Sequence, residues 1–413
     1  MNAFMPADIL LPRVEDMRKW AVIACDQFSS NPAYWQRVRE TAGDAPSCIN
    51  LILPEAELGT PQEETHTALI HEIMARYLQE NVFRTYHSAF VYVERTLASG
   101  AVRKGLIGMV DLETYDYAIG SVSAIRATEK TVVERIPPRM KVRRSASVEL
   151  PHILMLCDDH EKVLVEPITA LKDTLPKLYD FELMEDGGHI TGWLVQGEPV
   201  KQFEERLMAY SAKVGEKYSD LSGTPMVFAV GDGNHSLATA KACYEELKAA
   251  NPGADLSRHP ARYALVELEN IHDEAQVFEP IHRVVVKTNA QKLLTDLQAT
   301  FCAEGGYPVT WYIGAESGTV YLDRARSQLA VGALQSFLDA WLGENDGEID
   351  YIHGDSDLKE LAAQENAIGF LLPAMEKSQL FRGVIADGVL PRKTFSMGHA
   401  REKRYYLEGR VIK

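Results

Sequence analysis

PMVFAVGDGNHSLATAKACYEELKAA, residues 225–250, carries two periodicities separated by a glycine turn. Residues 226–230 are apolar and rich in β-branched and aromatic side chains, the composition of a buried strand. Gly231-Asp232-Gly233 interrupts that run, and glycine tolerates backbone angles closed to other residues. Beyond it Leu237, Ala240, Cys243, Tyr244 and Leu247 recur at helical spacing, with Asn234 and Ser236 as N-cap residue types. The stretch reads as strand, tight polar turn, helix.

The first turn of a helix presents unpaired amides and a partial positive charge, which suit a phosphate or carboxylate. Gly231 and Gly233 would let a ligand approach the backbone, and Asp232, Asn234, His235 and Ser236 would surround it. His235 can donate, accept or take up a proton near neutral pH. The simpler reading makes Asp232 and Asn234 turn formers and His235 a partly exposed turn residue.

A second stretch, IRATEKTVVERIPPRMKVRR at residues 125–144, stands out by contrast. The chain of 413 residues has a formal net charge of -16, yet this segment holds Arg126, Lys130, Arg135, Arg139, Lys141, Arg143 and Arg144 against Glu129 and Glu134. Guanidinium groups bind phosphate or carboxylate oxygens in pairs. The alternative is a solvated helix ending at Pro137-Pro138 with Glu-Arg pairs on its surface.

Overall acidity argues against nucleic acid or an anionic membrane as the main partner, so a small anionic molecule would need a local basic pocket. No apolar run is long enough to span a membrane, and acidic residues stand where a signal peptide would be apolar, so the cytoplasm is the expected compartment. A homo-oligomer is compatible with the sequence. Cys25, Cys48, Cys157, Cys243 and Cys302 are scattered without a C-x-x-C pair, which suggests small buried hydrophobes rather than disulfides or a zinc ribbon. A nucleophilic role for Cys25 has no local group to lower its pKa.

The composition, 46% hydrophobic and 25% charged, is that of a globular protein of more than one domain. The expected fold is α+β (mixed α/β), with mixed sheets and flanking helices around the central strand-turn-helix unit. Expected regions are an N-terminal α/β region at 1–150, a central region at 151–289 and a smaller α+β module with a basic tail at 290–413. Strands are expected at 18–25, 48–54, 88–95, 103–112, 149–157, 163–169, 180–185, 189–195, 263–268, 309–313, 319–322 and 368–372. Helices are expected at 62–81, 201–214, 290–303, 329–343 and 375–382. Asp158-Asp159-His160 reads as a hydrated turn or a cation site.

The segments AVIACDQFSSNPAYW, CINLILPE, GLIGMVDLETYDY, IRATEKTVVERIPPR, LPHILMLCDD, VGDGNHSLATAKA, RYALVELENIHDE, FEPIHRV and PRKTFSMG, in this order, closely resemble the bacterial "domain of unknown function 1015" family. In many members the turn reads Asp-Gly-His-His-Arg; here it is Asp232-Gly233-Asn234-His235-Ser236. That motif is similar to the glycine turn of the ParB/sulfiredoxin-like superfamily, where the turn and following helix cradle nucleotide phosphates. Some of those proteins hydrolyse a nucleotide and others transfer a phosphoryl group. Ser236 replaces the motif's arginine, a role Arg126, Arg135 or Lys393 could take.

The resemblance also implies that Glu129, Thr131, Glu134 and Arg135 match a His-Glu-x-Thr…Glu-Asp-Arg signature. His282 and Arg283 match a Pro-Thr-His-Arg segment, and Lys393 and Ser396 a short basic motif. These patches are expected to converge on one pocket. The implied activity is a nucleotide-dependent phosphotransferase or hydrolase. In it Glu129, Glu134 or Asp232 would hold Mg²⁺ or orient the attacking group, with His235 as an alternative base. Two other readings are a non-catalytic sensor of an anionic metabolite and a metal-dependent hydrolase built on His235, His272 and Asp273.

Overall fold

Strand Phe83–Thr96 and its partner Val102–Asp111 lie at the centre of the larger part of the chain, and Ala89 to Val93 are at most 1% exposed. Side chains buried on both faces are what an apolar run without alternation demands. The computed structural model describes residues 3–150, 152–221 and 225–413. Its contacts divide the chain into two units: Met1–Ala127, Thr131–Gln276 and Gly398–Lys413 form one, Thr128–Lys130 and Val277–Met397 the other. Both units mix helices with sheets, a mixed α/β fold.

Among the described residues of the larger unit, an 11-stranded sheet runs along the path Lys177–Glu182, His189–Val195, Phe83–Thr96, Val102–Asp111, Tyr263–Asn270, Leu154–Cys157, Phe228–Asp232, Ile125–Ala127, Tyr115–Asp116, with Phe4–Met5 paired to Val102–Asp111 and Ala7–Pro12 to Phe83–Thr96 off that path. Most pairs are antiparallel. Phe228–Asp232 nevertheless runs parallel to Ile125–Ala127 and antiparallel to Leu154–Cys157, so basic segment and glycine turn leave the sheet side by side.

The chain's last residues belong to this unit. Tyr405–Tyr406 pairs with Val22–Ile23, and Arg410–Val411 with Val148–Glu149. They carry charge into the core: Arg404 Nη1 meets Glu267 Oε2 at 2.8 Å and Arg404 Nη2 meets Glu408 Oε2 at 2.7 Å. Tyr179 donates its hydroxyl to Glu408. Arg410 and Arg143 both reach Glu149, at 2.8 and 2.6 Å. Gly105 makes room for one of these carboxylates, since a Cβ there would fall 2.1 Å from Glu267 Oε1.

The smaller unit has a 5-stranded antiparallel sheet in the order Glu316–Leu322, Cys302–Ile313, Ile368–Leu371, His282–Val286, Glu348–Ile352. Helices Ala290–Phe301, Ala330–Leu342, Asp355–Ala362 and Lys377–Asp387 accompany it. Strand His282–Val286 joins this sheet, so the unit starts well before residue 290.

Several expected elements differ. Residues 48–54 hold a 3-10 turn, Cys48–Leu51, and residues 163–169 end in the short helix Glu166–Thr169, with Pro167 in its first turn. Residues 18–25 hold the end of helix Met17–Trp20 and the strand Val22–Ile23. Burial, not strand geometry, accounts for the apolar pattern of these runs. Pro137-Pro138 opens helix Ile136–Ser145 instead of ending one, because proline suits positions lacking an amide partner. Pro151, inside the expected strand 149–157, lies outside the described residues. No helix among the described residues is long and apolar enough to cross a membrane.

Removing one partner of a buried ion pair strands the other, at a cost of about 3–5 kcal/mol. Arg404→Ala is therefore expected to lose stability of that order in urea unfolding, with Glu267 and Glu408 left in the core. A loss below ~1 kcal/mol would show that the network carries no such weight.

Candidate functional site

The motif strand Phe228–Asp232 ends and helix Asn234–Ala250 begins around Gly233, which adopts left-handed angles of φ 76° and ψ 24°. Gly233, not Asn234 or Ser236, is the N-cap residue, and no side chain caps the helix. Its carbonyl accepts from the amides of Ser236 (3.0 Å) and Leu237 (3.1 Å). A Cβ on Gly233 would lie 3.0 Å from Ile153 Cα, so this position needs glycine for space as well as for φ. Asp232 fixes the turn by accepting the Gly233 amide at 2.8 Å through Oδ1. Its Oδ2 pairs with Lys403 at 3.2 Å. Burial pushes the Asp232 carboxyl up, but the charge of Lys403 and the hydrogen bonds from Lys403 and the Gly233 amide outweigh it, and the net shift is downward. Asp232 is thus an ionised anchor of the turn and of Lys403.

His235 Nε2 accepts a hydrogen bond from the Val132 amide at 3.3 Å. An amide can only donate, so this nitrogen carries no proton and the ring proton sits on Nδ1. Burial, then the charges of Arg139 and Arg135, hold its pKa below the usual value. Neutral His235 therefore keeps its ring proton on Nδ1. The same contact brings the 131–135 segment to the turn. Two buried oxygens there, Thr131 Oγ1 and Asn234 Oδ1, have no hydrogen-bond partner, although buried polar atoms normally find one.

Beside the turn lies a cavity of about 160 Å³. Its lining is mostly apolar, including Leu51, Leu53, Met74, Val142 and Ile153, and its polar members include Ser236, His152, Arg139, Arg143, Glu55 and Glu149, with Cys25 and Tyr406 also lining it. Arg139 is ion-paired with Glu55. Burial pushes the Cys25 thiol up to about 12, which removes it as a nucleophile. His152, Lys403 and Tyr406 are site residues that sequence reasoning missed. Their signals were faint: a histidine inside an apolar run, and a basic pair ahead of two tyrosines.

The other expected site residues are placed as follows. Arg126, 3% exposed, lies in strand Ile125–Ala127 and donates through Nε to Ser123 O at 2.8 Å; burial lowers its pKa. Glu134 and Arg135 are exposed in the 3-10 turn Val133–Arg135. Glu129, His282, Arg283, Lys393 and Ser396 all belong to the smaller unit. There Glu129 accepts the Lys393 amide at 3.1 Å, and Ser396 lies in a strand paired with Phe278–Pro280.

Arg283 is fully buried and donates to Gln335 Oε1 at 3.0 Å and to the carbonyls of Ile281, Lys393 and Arg392 at 2.5, 2.9 and 3.0 Å. His282 accepts the Leu372 amide at 3.1 Å and meets Asp355 at 3.3 Å. Both are held by contacts within the smaller unit.

Among the described residues, no group of three or more His, Cys, Asp or Glu is placed to hold a metal ion. His272 pairs with Asp158 at 2.6 Å, and Asp158 also receives Lys217 at 2.6 Å. The cation reading of Asp158-Asp159-His160 and the metal-hydrolase reading of His235, His272 and Asp273 therefore lack a ligand set. Asp232 and Glu55 are ion-paired with Lys403 and Arg139.

A family described as "Protein of unknown function (DUF1015)" matches residues 8–393. The chain belongs to that family. No curated protein matches this DUF1015 chain significantly. Among solved structures it is similar to a free serine kinase in complex with AMP, with TM-score 0.38, 11% identity, 72% of this chain and 90% of that one covered. It is also similar to SbnI with a C-terminal truncation from Staphylococcus aureus (TM-score 0.35, 11% identity, 71% and 83% covered). A third is a conserved hypothetical protein from Pyrococcus furiosus (TM-score 0.35, 12% identity, 72% and 92% covered).

Gly233→Ala forces a side chain into the left-handed region and against Ile153, and is expected to lower stability by about 1–3 kcal/mol. Thermal unfolding checks this, and an unchanged Tm would contradict the geometry. His235 makes a further prediction. Because its folded pKa lies below the unfolded value of 6.5, folding is favoured above that pH, and the contribution is lost as pH falls from about 6.5 towards the folded pKa. His235→Gln should therefore flatten the fall in stability below about pH 6.5, measured by urea unfolding at a series of pH values.

Proposed function

We propose that the chain is an enzyme binding a phosphorylated small molecule at the GDGNHS turn, a nucleotide-dependent phosphotransferase or hydrolase. One observation carries the reading: a 17-residue helix starts without a side-chain cap, Asn234 Oδ1 on its first residue and Thr131 Oγ1 are buried without partners, and Ser236 of its first turn lines a cavity with apolar walls. The amides of Asn234 and His235 and the Nδ1–H of His235 are donors for phosphate oxygens. Lys403 and Arg139 add positive charge, and such preorganised groups stabilise charge that spreads in the transition state.

Asn234 Oδ1 and Thr131 Oγ1 suit the hydroxyls of a sugar or an acceptor. The cavity suits a ring, since apolar cavities of ~150 Å³ hold one of benzene size. The Asp-Gly-x-His turn also fits the ParB/sulfiredoxin-like pattern of phosphate cradles. Mg²⁺ would accompany a nucleotide through its own phosphate oxygens, which is how that ion is usually held.

Thermal unfolding against ATP, ADP, CTP, GTP, pyrophosphate and phosphate, each with and without Mg²⁺, tests the reading. Ligand at about 100 times its Kd adds roughly 2.7 kcal/mol, so a nucleotide is expected to raise Tm measurably in wild type and not in Asp232→Ala. The proposal fails if no phosphate compound shifts wild type.

A further inference from the structure

Ser236 has an unusual environment for a serine in a helical first turn. It does not cap the helix, a task held by the Gly233 backbone. Nor is its hydroxyl turned back to its own helix, as that of Thr239 is, which donates to the His235 carbonyl at 2.7 Å. Ser236 Oγ lies instead 3.3 Å from His152 Nε2, and both residues line the 160 Å³ cavity. His152 is 7% exposed, and its ring stands edge-on to Tyr406, 5.2 Å between centroids and 87° between planes. Tyr406 is fixed in turn by the Cys25 amide, which donates to its hydroxyl at 3.2 Å. The imidazole is thus held in place with one nitrogen on a hydroxyl at the wall of a cavity. A hydroxyl within reach of a positioned base is the arrangement of an activated nucleophile.

We propose that Ser236 is a covalent phosphoryl acceptor and His152 its general base. The inference rests on the phosphate-binding reading of the turn and extends it to a two-step reaction. In the first step His152 Nε2 takes the Ser236 proton while Oγ bonds to the γ-phosphorus of a nucleoside triphosphate. The bond from that phosphorus to the β–γ bridging oxygen breaks, and the diphosphate leaves with the electron pair and receives the proton from His152. In the second step neutral His152 takes a proton from water, or from an acceptor hydroxyl, as its oxygen attacks the phosphoserine. Oγ leaves with its electron pair and regains that proton, so the enzyme is restored and no oxidant or reductant is needed. The helix start favours a phosphate on Ser236, since anions are stabilised there.

The test incubates the full chain with ATP labelled in its γ-phosphate, quenches in acid on the millisecond-to-second scale and maps the label by tandem mass spectrometry. Binding of a non-hydrolysable ATP analogue is measured in parallel by calorimetry. Label on Ser236 of wild type, absent in Ser236→Ala and formed at least ~10²-fold more slowly in His152→Gln, is the expected result. Because the mapping uses wild type, it does not depend on either variant folding. ATP binding without label on Ser236, or turnover retained in Ser236→Ala, overturns the covalent step and leaves the binding reading standing. Absence of ATP binding overturns both.

Discussion

A side chain at residue 233 would be strained in φ and crowded against Ile153. The Ile153 Cα lies 3.0 Å from where a Cβ would be, and the left-handed backbone there lets a sheet strand turn at once into a helix. This close approach is a consequence of the sheet order, because Phe228–Asp232 runs antiparallel to the strand that follows Ile153. Any looser turn would separate the helix start from His152 and from the 131–135 segment. The chemistry of the site thus depends on a packing constraint one atom wide.

Charge is arranged with the same economy. Lys403, Tyr406 and the buried Arg404 come from one short C-terminal segment, so the groups that serve the turn are tied to those that hold the core. Arg404 between Glu267 and Glu408 fixes the segment beside Val22–Ile23, which in turn sets Tyr406 under His152. Buried ion pairs contribute little net stability relative to apolar packing, but they penalise any register that leaves one partner alone. Specification of the tail's position is the role this network fits.

The strand-turn-helix unit was legible because its two periods, near 2 and near 3.6, change across Gly231-Asp232-Gly233 in a single step. The cap was misread because Asn234 and Ser236 are cap types, whereas the left-handed Gly233 performs that task through its backbone. Prolines 137 and 138 are compatible with a helix stop or a first turn, and the structure uses them as a first turn. Residues 48–54 and 163–169 show that an apolar run reports burial before it reports geometry. The family resemblance makes Arg283 and His282 ligand groups, whereas their contacts to Gln335, Leu372 and neighbouring carbonyls could not be read from the sequence. His152 and Lys403 were invisible for the opposite reason: each lies far along the chain from the turn, and only sheet pairing brings them there.

The most direct test of the account is the position of a bound anion. A crystal grown with the γ-thiophosphate analogue of ATP, or soaked in tungstate, should show an anomalous peak within hydrogen-bonding reach of the Asn234 and His235 amides, with the ligand's remaining atoms towards Thr131 and the cavity. An ordered anion held elsewhere, with the helix start of the same crystal in contact with solvent alone, would contradict it.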